Sequence, residues 1–346
     1  MAHTQFFKQF APTTLGKVSA LTEVLSVFFI GSVLSMMFFQ FAGVTGHPLM
    51  ALLEPNANLF EISWDLFNIL MMQYAGWFIL IIVCGLMFSR PFIRESGLSR
   101  KQHSLLWLVA IGVLGWAIGD IPSKIVWLLD AEYDLGTSVP WREALISGEK
   151  TAGWWTLMAV GSFAIIPIIE EVFWRGYVQA RLQNSFSPSI AIIATALMFT
   201  LSHAQYHQMD AYHIATICAL FINALIFGWL FYSTGSLLPA IVMHALVNFP
   251  TDGAMMYIVI GLMFSISAWK WKTIRMEIDK ALNKLNLAQF DAISLLAFAI
   301  LAMSMMALSQ FPTLTITIGY VAAAILSLCF IYARWRSFSL ATEKSI

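Results

Sequence analysis

The chain is a succession of long apolar stretches separated by short polar segments. A helix that crosses a bilayer needs roughly 20 mostly apolar residues, and ten stretches approach that length. The predicted spans are 21–44, 64–88, 104–119, 153–174, 188–204, 211–232, 236–249, 253–269, 290–309 and 313–333. The pattern therefore predicts an all-α fold, a polytopic membrane helix bundle of about ten transmembrane helices whose third and seventh members are short.

The polar segments divide the chain into three parts. Residues 1–269 hold eight predicted spans, with a longer exterior segment at about 120–152. Residues 270–289 place apolar residues at helical spacing among lysines, which is typical of an amphipathic helix lying on anionic lipid. Residues 290–346 contain the last two spans and a short tail. We interpret this final pair as an appendage of the eight-span bundle.

Composition agrees with a lipid environment. Hydrophobic residues make up 59% of the chain and charged residues 11%, whereas soluble domains carry about 25% charged residues. The formal net charge is zero, so charge balance gives no support for a nucleic-acid partner. Cys84, Cys218 and Cys329 are isolated within apolar stretches and lack metal-ligand spacing. The expected partners are the bilayer and molecules embedded in it.

The positive charges indicate an orientation. Sixteen of the nineteen Lys and Arg residues fall on one side of the ten-span scheme, and only Lys124, Arg142 and Lys150 fall on the other. Cytoplasmic loops collect Lys and Arg. We therefore expect both termini in the cytoplasm and the protein in the cell membrane.

Three charged residues occur within or at the end of the fourth predicted span. An ionisable group at the bilayer centre costs roughly 2.5–3.5 kcal/mol on insertion scales, so its default interpretation is functional. Glu171 and Arg175 are four apart and share a helix face, so they can pair. Glu170 is rotated about 100° away from Glu171 and faces something else. The Glu171–Arg175 pair alone is also explained as a structural contact within the bundle. Glu170 has no such partner on its helix face and is therefore the candidate functional carboxylate.

Two later spans carry histidines at comparable depth. If the chain turns at Pro188, Glu170 and His203 both lie about 25 Å from that turn, so an antiparallel hairpin brings them level. His244 and Asn248 are four apart on one face of the seventh span. Each of these residues alone is also explained as an interhelical hydrogen-bonding group.

Three short motifs follow one another in these spans: EEVFWR, FTLSH and HALVN. Their polar and aromatic positions are Glu170, Glu171 and Arg175, then Phe199 and His203, then His244 and Asn248. Together they resemble the CAAX prenyl endopeptidase and bacteriocin-processing family of intramembrane proteases. That family is marked by Glu-Glu-x-x-x-Arg, Phe-x-x-x-His and His-x-x-x-Asn/Asp on successive membrane helices. The resemblance covers about 153–249.

The resemblance implies an intramembrane endopeptidase acting on a membrane-associated substrate, either lipid-modified (prenylated) or a precursor peptide. Glu170 with His203 would position and deprotonate a water, the general-base role. His244 and Asn248 would donate hydrogen bonds to the tetrahedral oxyanion. The supporting residues would be Glu171, Arg175 and Phe199.

The resemblance leaves both a metal-dependent and a glutamate-based mechanism open. Zinc would take Glu170, His203 and His244 as ligands, but no His-Glu-x-x-His helix motif is present. We therefore favour metal-free chemistry without a cofactor.

Two other classes of protein use similar residues. A proton-coupled transporter also carries intramembrane Glu, His and Arg, and it predicts inverted repeats with broken helices; the sequence pattern indicates neither. A non-catalytic membrane immunity or maturation factor would be expected to lose Glu170 or His203, and both are present.

Overall fold

The computed structural model describes residues 14–41, 58–87, 103–136, 149–203, 206–207, 210–249, 251, 253–284 and 325. Every regular element in these residues is a helix, as the apolar pattern predicts. The helices are α1 (Thr14–Phe41), α2 (Leu59–Met87), α3 (Leu105–Gly119), α4 (Ile121–Tyr133), α5 (Ala152–Gln183), α6 (Pro188–Leu201), α7 (Ala211–Thr234), α8 (Leu238–Val247), α9 (Gly253–Trp269) and α10 (Trp271–Lys284).

Long apolar helices fit a membrane protein, but ten spans are not confirmed. By length and composition, three helices in the described residues can cross a membrane: Gly16–Ser35 within α1, α5 and α7. The count rises to six if each bent pair is one span. The pairs are the two halves of α2, α3 with α4, and α9 with α10, bent by 50°, 41° and 77°. The predicted spans 290–309 and 313–333 lie outside the described residues, apart from residue 325.

The predicted spans at 188–204 and 236–249 correspond to short helices. α6 has 14 residues and α8 has 10, or about 21 Å and 15 Å, against a hydrocarbon core of about 30 Å. α8 cannot begin earlier because Gly235, at φ 65°, ends α7 in a left-handed conformation. At the end of α6, the Ser202 hydroxyl and the His203 ring both bond the carbonyl of Phe199. The apolar letters of the connecting segments therefore overstate the helix lengths.

The predicted exterior segment at 120–152 begins with a helix, α4, that bends away from α3. Two charged residues are buried near this bend: Lys124 Nζ lies 3.2 Å from Asp120 Oδ2. Lys124 is therefore a buried residue of a helix, whereas the sequence pattern counts it as a charge of the exterior segment. The sequence pattern indicates no broken helices, whereas α3 and α4 meet at a bend of 41°.

α1 and α2 approach each other closely at two glycines. The Gly76 amide donates to Ser35 Oγ at 2.9 Å, and a Cβ at Gly76 would clash with the carbonyl oxygen of Gly31. Small residues permit such backbone approach between membrane helices. The two helices thus pack as a pair.

α1 is also tied to α5 through a buried carboxylate. Glu23 is fully buried; Arg181 Nε donates to its Oε2 at 2.8 Å and the Tyr177 hydroxyl to its Oε1 at 3.1 Å. The orientation argument counts Arg181 as a cytoplasmic charge, but its side chain is mostly covered and its charge is paired. The contact holds α1 beside α5.

α5 carries the EEVFWR motif and continues to Gln183, nine residues beyond the predicted end of the fourth span at 174. Two of its stretches, Thr156–Ile165 and Val172–Gln179, have the wider π-helical turn, which is frequent at functional sites. Pro167, which has no backbone N–H to donate, follows the first stretch. Glu170 and Glu171 lie in the α-helical segment between the two.

Candidate active site

Glu171 links α5 to α8. Its Oε1 accepts a hydrogen bond from Arg175 Nη1 at 2.9 Å and lies 2.8 Å from His244 Nδ1. The exposed fractions of Glu171, Arg175 and His244 are 0%, 0% and 4%. The Glu171–Arg175 pair predicted from the spacing is present, whereas the bond to His244 was not predicted. Because an ionised carboxylate only accepts, His244 Nδ1 carries a proton and Nε2 is the nitrogen left for other partners.

Glu170 lies on the other side of the same histidine. Its Oε2 is 3.7 Å from His244 Nε2, and its Oε1 accepts a hydrogen bond from the Tyr74 hydroxyl at 2.5 Å. A separation of 3.7 Å is too long for a direct hydrogen bond. His244 therefore stands between two adjacent carboxylates, one bonded directly and one across a small gap.

Arg175 is held by aromatic rings and by α7. Its guanidinium carbon lies 4.7 Å from the ring centre of Phe199 and 4.8 Å from that of Phe227, and such cation–π contacts are strongest when water is excluded. Nη2 donates to the carbonyl of Ala224 at 3.1 Å. These contacts keep the cation beside Glu171 without exposing it.

Gln179 repeats the attachment one turn further along α5. Its Nε2 donates to the carbonyl of Gly228 at 2.9 Å, four residues after the carbonyl that Arg175 uses. A Cβ at Gly228 would lie 2.8 Å from Gln179 Oε1, so the absent side chain permits this approach. The two bonds fix the register of α5 against α7.

Phe199 contacts both motif histidines. Its ring centroid lies 4.8 Å from that of His203 and 5.9 Å from that of His244, both edge to face. His203 Nδ1 lies 2.8 Å from the Phe199 carbonyl; since a carbonyl only accepts, this nitrogen carries the proton.

The hairpin argument places His203 beside Glu170, and the structure refines that picture. Among the described residues, Glu170 makes its ion-pair contact with His244, at 3.7 Å, and not with His203. The action of Glu170 together with His203 stays a prediction, because helix depth gives no information on rotation about the helix axis.

Asn248 is bonded to the backbone of α5. Its Nδ2 donates to the carbonyl of Ser162 at 3.0 Å. In this π-helical stretch the Ile166 amide bonds five residues back, to Gly161. The next bond in that pattern would run from residue 167 to Ser162, but Pro167 has no N–H. Asn248 thus supplies the donor that Pro167 lacks, and it retains a second amide hydrogen.

The described residues do not form a ready metal site. Among them, no group of three or more His, Cys, Asp or Glu side chains is arranged to hold a metal ion. Nδ1 of His203 and Nδ1 of His244 each bond a protein oxygen. Nε2 of both histidines is left for other partners, so zinc binding by Glu170, His203 and His244 and metal-free chemistry both stay predictions.

Sequence reasoning missed two polar residues in the spans. Glu23 lies within the first predicted span, so the rule that flags Glu170 would also have found it. Tyr74 gives no such signal, since a single hydroxyl in an apolar helix is common. Both residues lie outside the three motifs.

Comparison with known proteins agrees with the resemblance. Residues 152–250 match the Rce1-like family, described as type II CAAX prenyl endopeptidase Rce1-like. No curated protein and no solved structure matches the chain. The matched segment contains all three motifs and the contacts between Glu170, Glu171 and His244. The chain is therefore a helical membrane protein whose segment 152–250 is similar to the Rce1-like family of type II CAAX prenyl endopeptidases.

Proposed function

We propose that the protein is an intramembrane endopeptidase that hydrolyses a peptide bond of a membrane-associated substrate, using water. The observation that carries the proposal is the position of His244 between Glu170 and Glu171, with a gap of 3.7 Å on the Glu170 side. Adjacent carboxylates with different partners can take different roles. The family match supports peptidase activity in general.

Glu170 is the proposed general base. A water held by Glu170 with His203 loses a proton to Glu170, and the resulting hydroxide attacks the carbonyl carbon of the scissile bond. When the C–N bond breaks, Glu170 returns the proton to the leaving amine. One water is consumed and the base is regenerated.

His244 is the proposed oxyanion donor. Glu171 holds Nδ1, so the ring is oriented before the substrate arrives, as a carboxylate orients the histidine of other hydrolases. His244 donates from Nε2 to the oxyanion, which requires a proton on both ring nitrogens. A fixed donor in a site that excludes water is worth more than one in solution. Asn248 contributes its second amide hydrogen or acts only through Ser162.

The test uses the purified full chain in liposomes with two probes. One is an S-farnesylated peptide ending in Cys-aliphatic-aliphatic-X, and the other is an unprenylated peptide with an apolar membrane anchor. Cleavage is followed by mass spectrometry. Glu170→Gln is expected to lower turnover by about 10²–10⁴-fold, while Glu132→Gln, at an exposed carboxylate on α4, leaves it unchanged. If the wild type cleaves neither probe, or Glu170→Gln cleaves as well as the wild type, the proposal is wrong.

A second candidate function is proton-coupled transport, and the bend between α3 and α4 favours it. Asp120 and Lys124 are buried near that bend, and broken helices with intramembrane charges are features of transporters. This candidate predicts proton flux in the same liposomes, read with a pH-sensitive dye, that Asp120→Asn abolishes. Peptide cleavage without such flux excludes it.

A further inference from the structure

Tyr74 reaches the candidate site from outside the matched segment. It lies on α2, is 2% exposed, and donates its hydroxyl to Glu170 Oε1 at 2.5 Å. No motif includes it, and the family match begins only at residue 152. The site therefore receives one of its short hydrogen bonds from another part of the bundle.

Packing places this hydroxyl. Trp77, one turn after Tyr74, stacks on Phe173, one turn after Glu170, with ring centroids 4.2 Å apart and planes within 16°. Trp77 Nε1 also donates to Ser32 Oγ on α1 at 3.0 Å. Two contacts three residues apart on each helix thus lock α2 and α5 in register.

The bond to Oε1 determines which carboxylate oxygen is available. With Oε1 occupied by Tyr74, the other oxygen of Glu170 faces the 3.7 Å gap to His244. A carboxylate rotates freely about its terminal bond unless hydrogen bonds hold it. A base must lie within hydrogen-bond reach of the proton that it takes, so the rotation of this group matters for the reaction.

We propose that Tyr74 is a positioning residue for Glu170: it holds one carboxylate oxygen so that the other faces the site where water reacts. The inference rests on the proposed peptidase function. In this role Tyr74 acts through Glu170.

The test compares two tyrosines in the liposome assay. Tyr74→Phe removes one hydroxyl and keeps the ring, and is expected to lower kcat by about tenfold to hundredfold, since a hydrogen bond to a charged group is lost, with KM changed by less than about threefold. Tyr177→Phe is the matched control, because its buried hydroxyl also donates to a carboxylate, that of Glu23. The control is expected to keep kcat within about twofold.

A second variant guards against misfolding of the first. Trp77→Phe keeps the Tyr74 hydroxyl but weakens the stack on Phe173 that sets its position, and is expected to lower kcat several-fold at unchanged KM. If Tyr74→Phe and Trp77→Phe both keep the wild-type kcat while Glu170→Gln is inactive, the positioning role is wrong and the proposed peptidase function stands. Equal losses in Tyr74→Phe and Tyr177→Phe would show a merely structural effect and would also overturn it. If the wild type cleaves the probes no faster than an inactive Glu170→Gln variant, the proposed function is wrong, and the positioning role is wrong with it.

Discussion

The Asn248 side chain donates the hydrogen bond that the backbone of Pro167 cannot donate. We therefore expect the loss of stability caused by Asn248→Ala to depend on the residue at position 167. Asn248→Ala leaves the Ser162 carbonyl without its side-chain donor. An unpaired buried carbonyl costs about 1–3 kcal/mol. Interhelical hydrogen bonds in membranes average about 0.6 and reach about 1.7 kcal/mol. Since this bond is partly buried, we expect Asn248→Ala to lower the free energy of unfolding by about 1–1.5 kcal/mol.

Pro167→Ala restores the missing backbone donor. An alanine amide at 167 can bond the carbonyl five residues back, which is Ser162, so Asn248→Ala is expected to cost under about 0.5 kcal/mol in this background. The coupling between the two positions is then about 1 kcal/mol, within the range for residues that share one partner.

The free energy of unfolding is measured by SDS titration in mixed micelles, followed by tryptophan fluorescence, for the wild type, both single variants and the double variant. Asn184→Ala, alone and with Pro167→Ala, is the control and is expected to be additive. An identical cost of Asn248→Ala with proline or alanine at 167 would refute the account. Turnover of the double variant separates the roles of Asn248: activity returns with stability if the role is structural, and stays low if its second hydrogen serves the oxyanion.

Three further predictions follow from the contacts. Glu171→Gln should destabilise the fold by about 3–5 kcal/mol, because it strands a buried guanidinium, whereas Glu170→Gln should unfold near the wild-type SDS concentration; equal losses would contradict the division of roles. Gly76→Leu should prevent α1 from packing on α2, since even a Cβ there meets the Gly31 carbonyl, and the folded peak in size-exclusion chromatography should vanish; Gly261→Leu, with nothing within 4 Å, should keep it. Dialysis against EDTA should leave proteolysis intact, with well under one zinc per chain by elemental analysis; activity that is lost with stoichiometric zinc and returns with it would establish a metal mechanism.

Local geometry was the predictable part of the site. The Glu171–Arg175 pair follows from four-residue spacing on one helix, and it survives although part of α5 has a π-helical turn. The same rotation argument correctly separates Glu170 from that pair. Both inferences need only the pattern of a single helix.

Contacts between helices were less predictable. Counting residues from the turn places His203 at the same depth as Glu170. It does not give the rotation of each helix about its axis, and that rotation places His244 closer to Glu170. Tyr74 approaches Glu170 from a helix 96 positions earlier in the chain, and its hydroxyl leaves no periodic signal. Asn248 could be assigned to Ser162 only once the π-helical register before Pro167 was known.

The two hydrogen bonds from α5 to α7 limit the routes by which a peptide held in the bilayer could reach the candidate site. Under the proposed function, such a substrate would reach the buried Glu170 by separating two neighbouring helices. Parting α5 from α7 would break the bonds of Arg175 and Gln179 to backbone carbonyls and would pull the guanidinium out from between two rings. Under the proposed function, we therefore expect the substrate to reach Glu170 between helices other than α5 and α7.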